Sequence, residues 1–320
     1  MDCDLHIHMV LDGVYYRDAI DAHRPAPNET VIRQRLAAYR SAGITYLRDG
    51  GDAWGVSLRA KQLAPEYGIV YRSPAFPIHR QGHYGGFIGR GYADLKQYRA
   101  LIGQARQQGA DFIKLMLSGL MDFHTAGKLT EESLDGEEIK TLITIARDEG
   151  FSVMAHCNGA RATLAAIEAG VGSVEHGAFL NDEVCHALAQ TDTVWVPTLS
   201  TVSNLMGSGR FPDRALEEIL DTAMENVART AQYGGLIGLG SDAGAYRVPH
   251  VTGARTESAL LQRILGEKTE EILQRAEAAI RARFRAGKKS VVLYRIMVDS
   301  CHGTLYNNGA IPSGHGSAEP

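Results

Sequence analysis

Six residues in this sequence are of types that bind metal ions or carry protons. The first two form His6-Ile7-His8. If that segment is a strand, residues two apart face the same side, so both imidazoles aim at one point. Neutral imidazole suits zinc and related ions. An H-x-H pair alone is a weak signal. Lys114 lies inside the apolar run Phe112-Ile113-Lys114-Leu115-Met116-Leu117. An ammonium there is costly without a partner. Either its stem carries the charge out to a rim, or burial lowers its pKa and makes it a nucleophile. In the second case reaction with CO2 gives a carbamate whose two oxygens can bridge two metal ions. His156, in Val-Met-Ala-His-Cys-Asn-Gly, His176, in Ser-Val-Glu-His-Gly-Ala, and Asp242, in Gly-Leu-Gly-Ser-Asp-Ala-Gly, each end an apolar segment.

The segments that must position these groups are short and rich in Val, Ile and Leu: residues 5–9, 44–49, 69–76, 112–117, 152–156, 173–176, 194–199 and 237–241. Such runs suit parallel strands covered on both faces. Amphipathic helices are expected over residues 29–41 with Asn28 as N-cap, over 136–149 with Asp135 as cap and Glu138 as its capping-box partner, and over 257–285 as one long element. Asn181 and Asp213 can cap two more. Helix-to-strand links are short and often carry glycine, the usual residue just past a helix end. Most strand-to-helix links are longer, among them residues 77–91 and 118–134. The alternation predicts an α/β fold, a (β/α)8 TIM barrel over residues 1–287, whose strand-to-helix loops form the active face. In a barrel the ends of strands 1, 4, 5, 6 and 8 converge on one axis, and all six residues occupy those ends. Residues 288–306 carry a further strand-like run, and 307–320 read as a disordered tail.

Composition narrows the function. In 320 residues, Lys and Arg total 33 and Asp and Glu 37, which argues against a nucleic-acid partner. No apolar run reaches the roughly 18 residues of a membrane helix, and no basic segment followed by an apolar one opens the chain. The four cysteines, Cys3, Cys157, Cys185 and Cys301, form no CxxC pair. They read as small buried hydrophobes in a cytoplasmic protein.

As a group, His6-x-His8, Lys114, His156, His176 and Asp242 resemble the ligand set of the amidohydrolase superfamily of metal-dependent hydrolases. The stretch from Ala155-His156-Cys157-Asn158-Gly159 to Val174-Glu175-His176-Gly177, together with Gly240-Ser241-Asp242-Ala243-Gly244, is similar to the branch holding imidazolonepropionase-like enzymes and prolidase-type dipeptidases. The resemblance covers roughly residues 4–285. It implies that His6, His8 and Asp242 bind one metal and His156 and His176 a second, with carboxylated Lys114 and a hydroxide between them. The metals would be two divalent ions, zinc foremost, with manganese or iron as alternatives. It implies hydrolysis of a C–N bond in a small amide, cyclic amide or dipeptide-like substrate, with Asp242 as proton shuttle. The same centre also serves ester, lactone and phosphotriester hydrolysis and deamination, and a metal-free scaffold is the reading from outside enzymes.

Beyond the ligand set, Arg80, His83 and Tyr84 lie in a glycine-rich stretch after strand 3 and are expected to contact substrate. His250 and Arg247 follow Asp242 and are further candidates. Asp49, at the end of strand 2, is a candidate partner behind the ligands. His23, His124, His186, His302 and His315 read as surface residues. Many relatives carry a small β-sandwich flanking the barrel. Met1 lies five residues before His6, so the resemblance implies either a barrel-only member or a start placed too late. Residues 291–298 are the expected sandwich remnant, and a lone edge strand favours a homo-oligomer that covers it.

Overall fold

A computed structural model of the chain describes residues 2–285. Its strands are β1 (Cys3–Ile7), β2 (Tyr46–Asp49), β3 (Val70–Arg72), β4 (Pro77–Arg80), β5 (Arg90–Tyr92), β6 (Ile113–Met116), β7 (Val153–Cys157), β8 (Ser173–His176), β9 (Val194–Val196) and β10 (Leu236–Ile237). All pairings among them are parallel: β1-β2-β3 form one ribbon, and β10-β9-β8-β7-β6-β4-β5 the other. Backbone hydrogen bonds join the two ribbons on both sides. Leu5 N donates to Leu239 O at 2.9 Å, Asp242 N to His6 O at 2.7 Å and His8 N to Ala243 O at 2.7 Å. On the other side Asp111 N donates to Ser73 O at 2.8 Å. The chain beyond β10 thus runs alongside β1, and the fold is the expected TIM-barrel type.

Each of the eight expected strand segments overlaps an observed strand, the last, residues 237–241, at Ile237 alone. Residues 77–91, expected as a loop, instead contain β4 and β5. Pro77 and Ile78 pair with Lys114 and Leu115 of β6, a partner more than thirty positions away that local pattern cannot reveal. Helix Glu29–Ser41 is capped by Asn28, and Gly136–Asp148 by Asp135, as expected. Glu138 makes no capping box; its carboxylate takes Arg80 and the Tyr92 hydroxyl. Asn181 caps Asp182–Ala189. Asp213 does not cap: it is the first residue of Asp213–Gln232 and accepts from Gly207 N instead. The expected long last helix is two, Thr252–Leu265 and Thr269–Arg283. Gly266, with φ of +60°, ends the first.

The core also explains which end of the barrel is open. Side chains from the starts of the strands, among them Leu5, Tyr46, Phe112, Met154 and Val194, pack against Ala276, Ile280 and Phe284 at the last helix. That end is plugged with apolar groups. Cys3, Cys157 and Cys185 are buried, as expected. Among the described residues no helix is long and apolar enough to cross a membrane. Residues 288–306 and 307–320, with Cys301, His302 and His315, lie outside the described part of the chain.

Candidate metal centre

At the C-terminal ends of the strands the six residues meet. His6 is fully buried, and Lys114 and His156 nearly so. Asp242 Oδ1 lies 3.3 Å from His8 Nε2 and 3.5 Å from His6 Nε2. Ligand atoms of His6, His8 and Asp242 all fall within 4.8 Å of one another, close enough to hold one ion. The ring of His176 is 5.2 Å from that of His6 and 4.6 Å from that of His156, centroid to centroid.

Local backbone helps aim these groups. His176 and Asp242 have φ of +65° and +59°, in the left-handed region, which costs about 1–3 kcal/mol each and persists where surrounding structure imposes it. Glycine makes the room. A Cβ on Gly50 would lie 2.3 Å from the His8 imidazole, and one on Gly240 would lie 2.8 Å from His6 N.

Hydrogen bonds set the rings. His156 Nε2 faces the Gly119 carbonyl at 3.1 Å, and His176 Nδ1 faces Thr198 Oγ1 at 2.7 Å. One nitrogen on each ring, Nδ1 of His156 and Nε2 of His176, is left for another ligand. Asp49, the candidate partner behind the ligands, accepts from Met9 N at 2.9 Å, from Gly51 N at 2.5 Å and from the Tyr71 hydroxyl. It thereby pins the chain directly after His8.

The electrostatics suit cation binding. Burial, followed by the nearby Lys114 charge, holds His6 well below the ordinary histidine value, and burial and Lys114 take His156 down to about 3. Burial and the neighbouring histidines hold His176 well below it too. All three are neutral imidazoles with lone pairs to give. Burial alone would raise Asp242, but His6, His8 and Lys114 outweigh it and hold the carboxylate below its usual value. Burial lowers Lys114 to about 8, against the opposing pull of Glu175 and Asp242. Both nitrogens of His6, Nδ1 of His8 and Nζ of Lys114 are buried with no hydrogen-bond partner. Such orphaned atoms fit a bound cation and a modified lysine, since a buried polar group without a partner is costly.

Two residues behind the centre were not expected from sequence. Glu175 Oε2 lies 3.0 Å from His6 Nδ1, within ion-pair reach though off the hydrogen-bond direction. Its Oε1 accepts from Arg48 at 2.8 Å and from Ser173 Oγ at 2.5 Å. Arg48 is fully buried, donates to Leu5 O at 2.6 Å and lies over the Phe284 ring at 4.6 Å. The signal was in the sequence: a charged residue in each of two apolar strands.

A cavity of about 590 Å³ opens above the centre, with His8, His156, His176 and Asp242 at its floor. Tyr84 lines it, its ring 4.9 Å from that of His156. His83 sits beside Glu131, Nδ1 to Oε1 3.6 Å. Arg80 turns away to Glu138 at 2.7 Å. His250 is not in the cavity wall: Tyr39 Oη meets its Nδ1 at 2.9 Å and Leu11 O its Nε2 at 2.9 Å. Arg247 does not line the cavity either. One histidine read as a surface residue is placed otherwise: His23 is buried, its Nδ1 accepting from Asn28 N. His124 is exposed, as expected, and lines the cavity. His186 is exposed and stacks on Tyr233.

Parallel α/β barrels carry their active sites at these open strand ends, where this chain gathers its His/Asp cluster. The chain belongs to the amidohydrolase family, whose model matches residues 3–282. It is similar to the ochratoxinase of Aspergillus niger, at 25% identity over 275 residues, 75% of this chain and 56% of that protein. The chain thus spans little more than half the length of that relative. An uncharacterized protein of Mycobacterium tuberculosis is 29% identical over 177 residues, covering 53% of this chain and 46% of its own. Among solved structures, the A. niger ochratoxinase superposes with a TM-score of 0.70 at 20% identity, covering 89% of this chain and 74% of that one. A Xaa-Pro dipeptidase with methionine in its active site gives 0.68 at 20%, covering 89% and 76%.

Proposed function

We propose that this protein hydrolyses a C–N bond in an amide, cyclic amide or dipeptide-like substrate at a two-metal centre. The observation that carries the reading is the meeting of His6, His8 and Asp242 beneath the cavity, with orphaned nitrogens on His6, His8 and Lys114. Family membership and likeness to proteins named as an ochratoxinase and a Xaa-Pro dipeptidase support it.

In this reading His6, His8 and Asp242 hold one divalent ion and His156 and His176 the other. Lys114, as its carbamate, would supply further oxygen ligands to them. A lysine with a pKa of about 8 keeps a fraction of free amine at neutral pH, which is what attack on CO2 requires. The ions, zinc foremost, polarise the scissile carbonyl and ease ionisation of water when bound. Asp242, kept ionised, accepts a proton at its carboxylate and returns it to the leaving amine. Tyr84, which burial keeps protonated, offers a hydroxyl donor on the cavity wall.

The test is a hydrolysis screen of N-acyl amino acids, dipeptides and hydantoin-like rings, using protein produced with zinc and bicarbonate, alongside metal analysis. Stoichiometric metal and release of an amine are expected. Protein that retains no divalent ion and splits none of these substrates would overturn the reading.

A further inference from the structure

The mouth of the cavity carries features that the metal centre does not need. Val14, Tyr15, Tyr16, Val70, Leu95, Tyr233 and Tyr246 are the large hydrophobic side chains exposed among the described residues. Four of these seven, Val14, Tyr15, Tyr16 and Tyr246, line this one opening. Exposed apolar residues gathered at a cavity mark a binding surface rather than chance.

Within that apolar wall, Arg210 is the sole lysine or arginine. Its guanidinium carbon lies 4.6 Å over the Tyr246 ring and 5.3 Å from that of Phe211. Phe211 is buttressed in turn by Phe123 and His124, at 5.2 and 5.1 Å between centroids. No carboxylate pairs with Arg210 among the described residues, whereas Arg33, Arg59, Arg80 and Arg106 each have one. Asp122, the other carboxylate of the wall besides Asp242, accepts from His124 N at 2.9 Å. A guanidinium stacked by its face on aromatic rings keeps its edge N–H groups free, in the fork that matches a carboxylate.

We propose that Arg210 is a specificity-determining residue that receives a carboxylate of the substrate at the mouth, while an aromatic or large apolar group lies along the wall. This rests on the C–N hydrolysis reading and narrows it. The preferred substrates carry an apolar body and a free carboxylate, as in N-acylated aromatic amino acids.

Two measurements test it separately from turnover. In the first, calorimetry on the metal-loaded protein compares 4-phenylbutyrate with 4-phenylbutanol, which differ in the charged end and have no C–N bond to cut. The acid should bind about tenfold more tightly to the wild type, a typical value for a charge-assisted pair. Arg210→Gln should abolish that preference, and Arg210→Lys should restore only part of it, because a point charge lacks the planar fork. A preference that survives in Arg210→Gln would mean that the carboxylate lands on the metals and would overturn the proposal. So would equal binding, or no binding, of both probes by the wild type. In the second, hydrolysis of N-benzoyl-phenylalanine is compared with that of N-benzoyl-phenethylamine, and the ratio of their kcat/KM values should fall about tenfold in Arg210→Gln. If neither is hydrolysed while the binding pattern holds, the proposed reaction fails and the role of Arg210 stands.

Discussion

In the proposed reading Lys114, Asp242 and Glu175 have three different roles, and single substitutions separate them. Lys114 is buried with an orphaned Nζ. Lys114→Ala should lose the second ion and most turnover, which metal analysis by mass spectrometry checks; two ions retained would remove Lys114 from the centre. Asp242→Asn should keep metal but lower kcat by about 10²–10⁴-fold, the usual worth of a positioned proton carrier. Full turnover in that variant would refute the shuttle. Glu175 touches His6 on one side and the buried Arg48 on the other. Glu175→Gln leaves that arginine unneutralised, a loss of about 3–5 kcal/mol for a buried pair. It should also weaken zinc binding by about 10–100-fold. Chelator competition reads the affinity and denaturant unfolding the stability; an unchanged zinc affinity would show that Glu175 serves Arg48 alone.

Among the elements, the turn after β2 and the helix beside it show how the frame reaches the site. Gly50 is the point of closest approach, with space for His8 and nothing more. Gly50→Ala should push the His8 ring out of place, cutting metal content and activity while the far-UV circular dichroism stays native. A variant with full metal occupancy would contradict that packing argument. Asn28 caps Glu29–Ser41 through Val31 N and also donates to Ala22 O at 3.3 Å. Asn28→Ala should cost about 1 kcal/mol in denaturant unfolding with little change in kcat, since the cap holds a helix outside the barrel rather than a ligand.

Across the whole molecule, the buried titratable groups give the metal-free protein a predictable response to pH. Burial holds His6, His23, His156, His176 and His250 below the ordinary histidine value. Burial also raises Asp4, Asp52 and Glu257, to about 7, 6 and 7. Below about pH 6.5 the unfolded chain takes up protons that the five native imidazoles refuse, so their share of stability is complete above that pH and drains away as pH falls. The three carboxylates act in the opposite sense. Their native forms keep protons that the unfolded chain releases, so their contribution is present at low pH and fades as pH rises toward 7. Five groups outweigh three, and Tm of the metal-free protein should rise from pH 4.5 to 6.5. His250→Asn, outside the proposed ligand set, should flatten that rise; a Tm that is constant or falls over the window would contradict the balance.

The legibility of the protein follows the same scales. Strand positions were readable because buried parallel strands are apolar on both faces, and a His, Lys or Asp at their ends stands out against that background. Caps such as Asn28 and Asp135 were readable because the donor they satisfy lies two or three residues away. What failed was whatever depended on a distant partner: β4, which needs β6; Asp213, drawn to Gly207 rather than to its own helix; and Glu138, drawn to Arg80 and Tyr92. By itself, then, the sequence determined the residue types proposed for the centre and the apolar segment that carries or precedes each, because residue type and strand period are local properties. Only the tertiary structure decided that His250 is engaged by Tyr39 and Leu11, that Glu175 and Arg48 stand behind His6, and that Arg210 faces an aromatic mouth. Those roles rest on which side chains meet across the barrel, and barrel closure brings together residues more than a hundred positions apart.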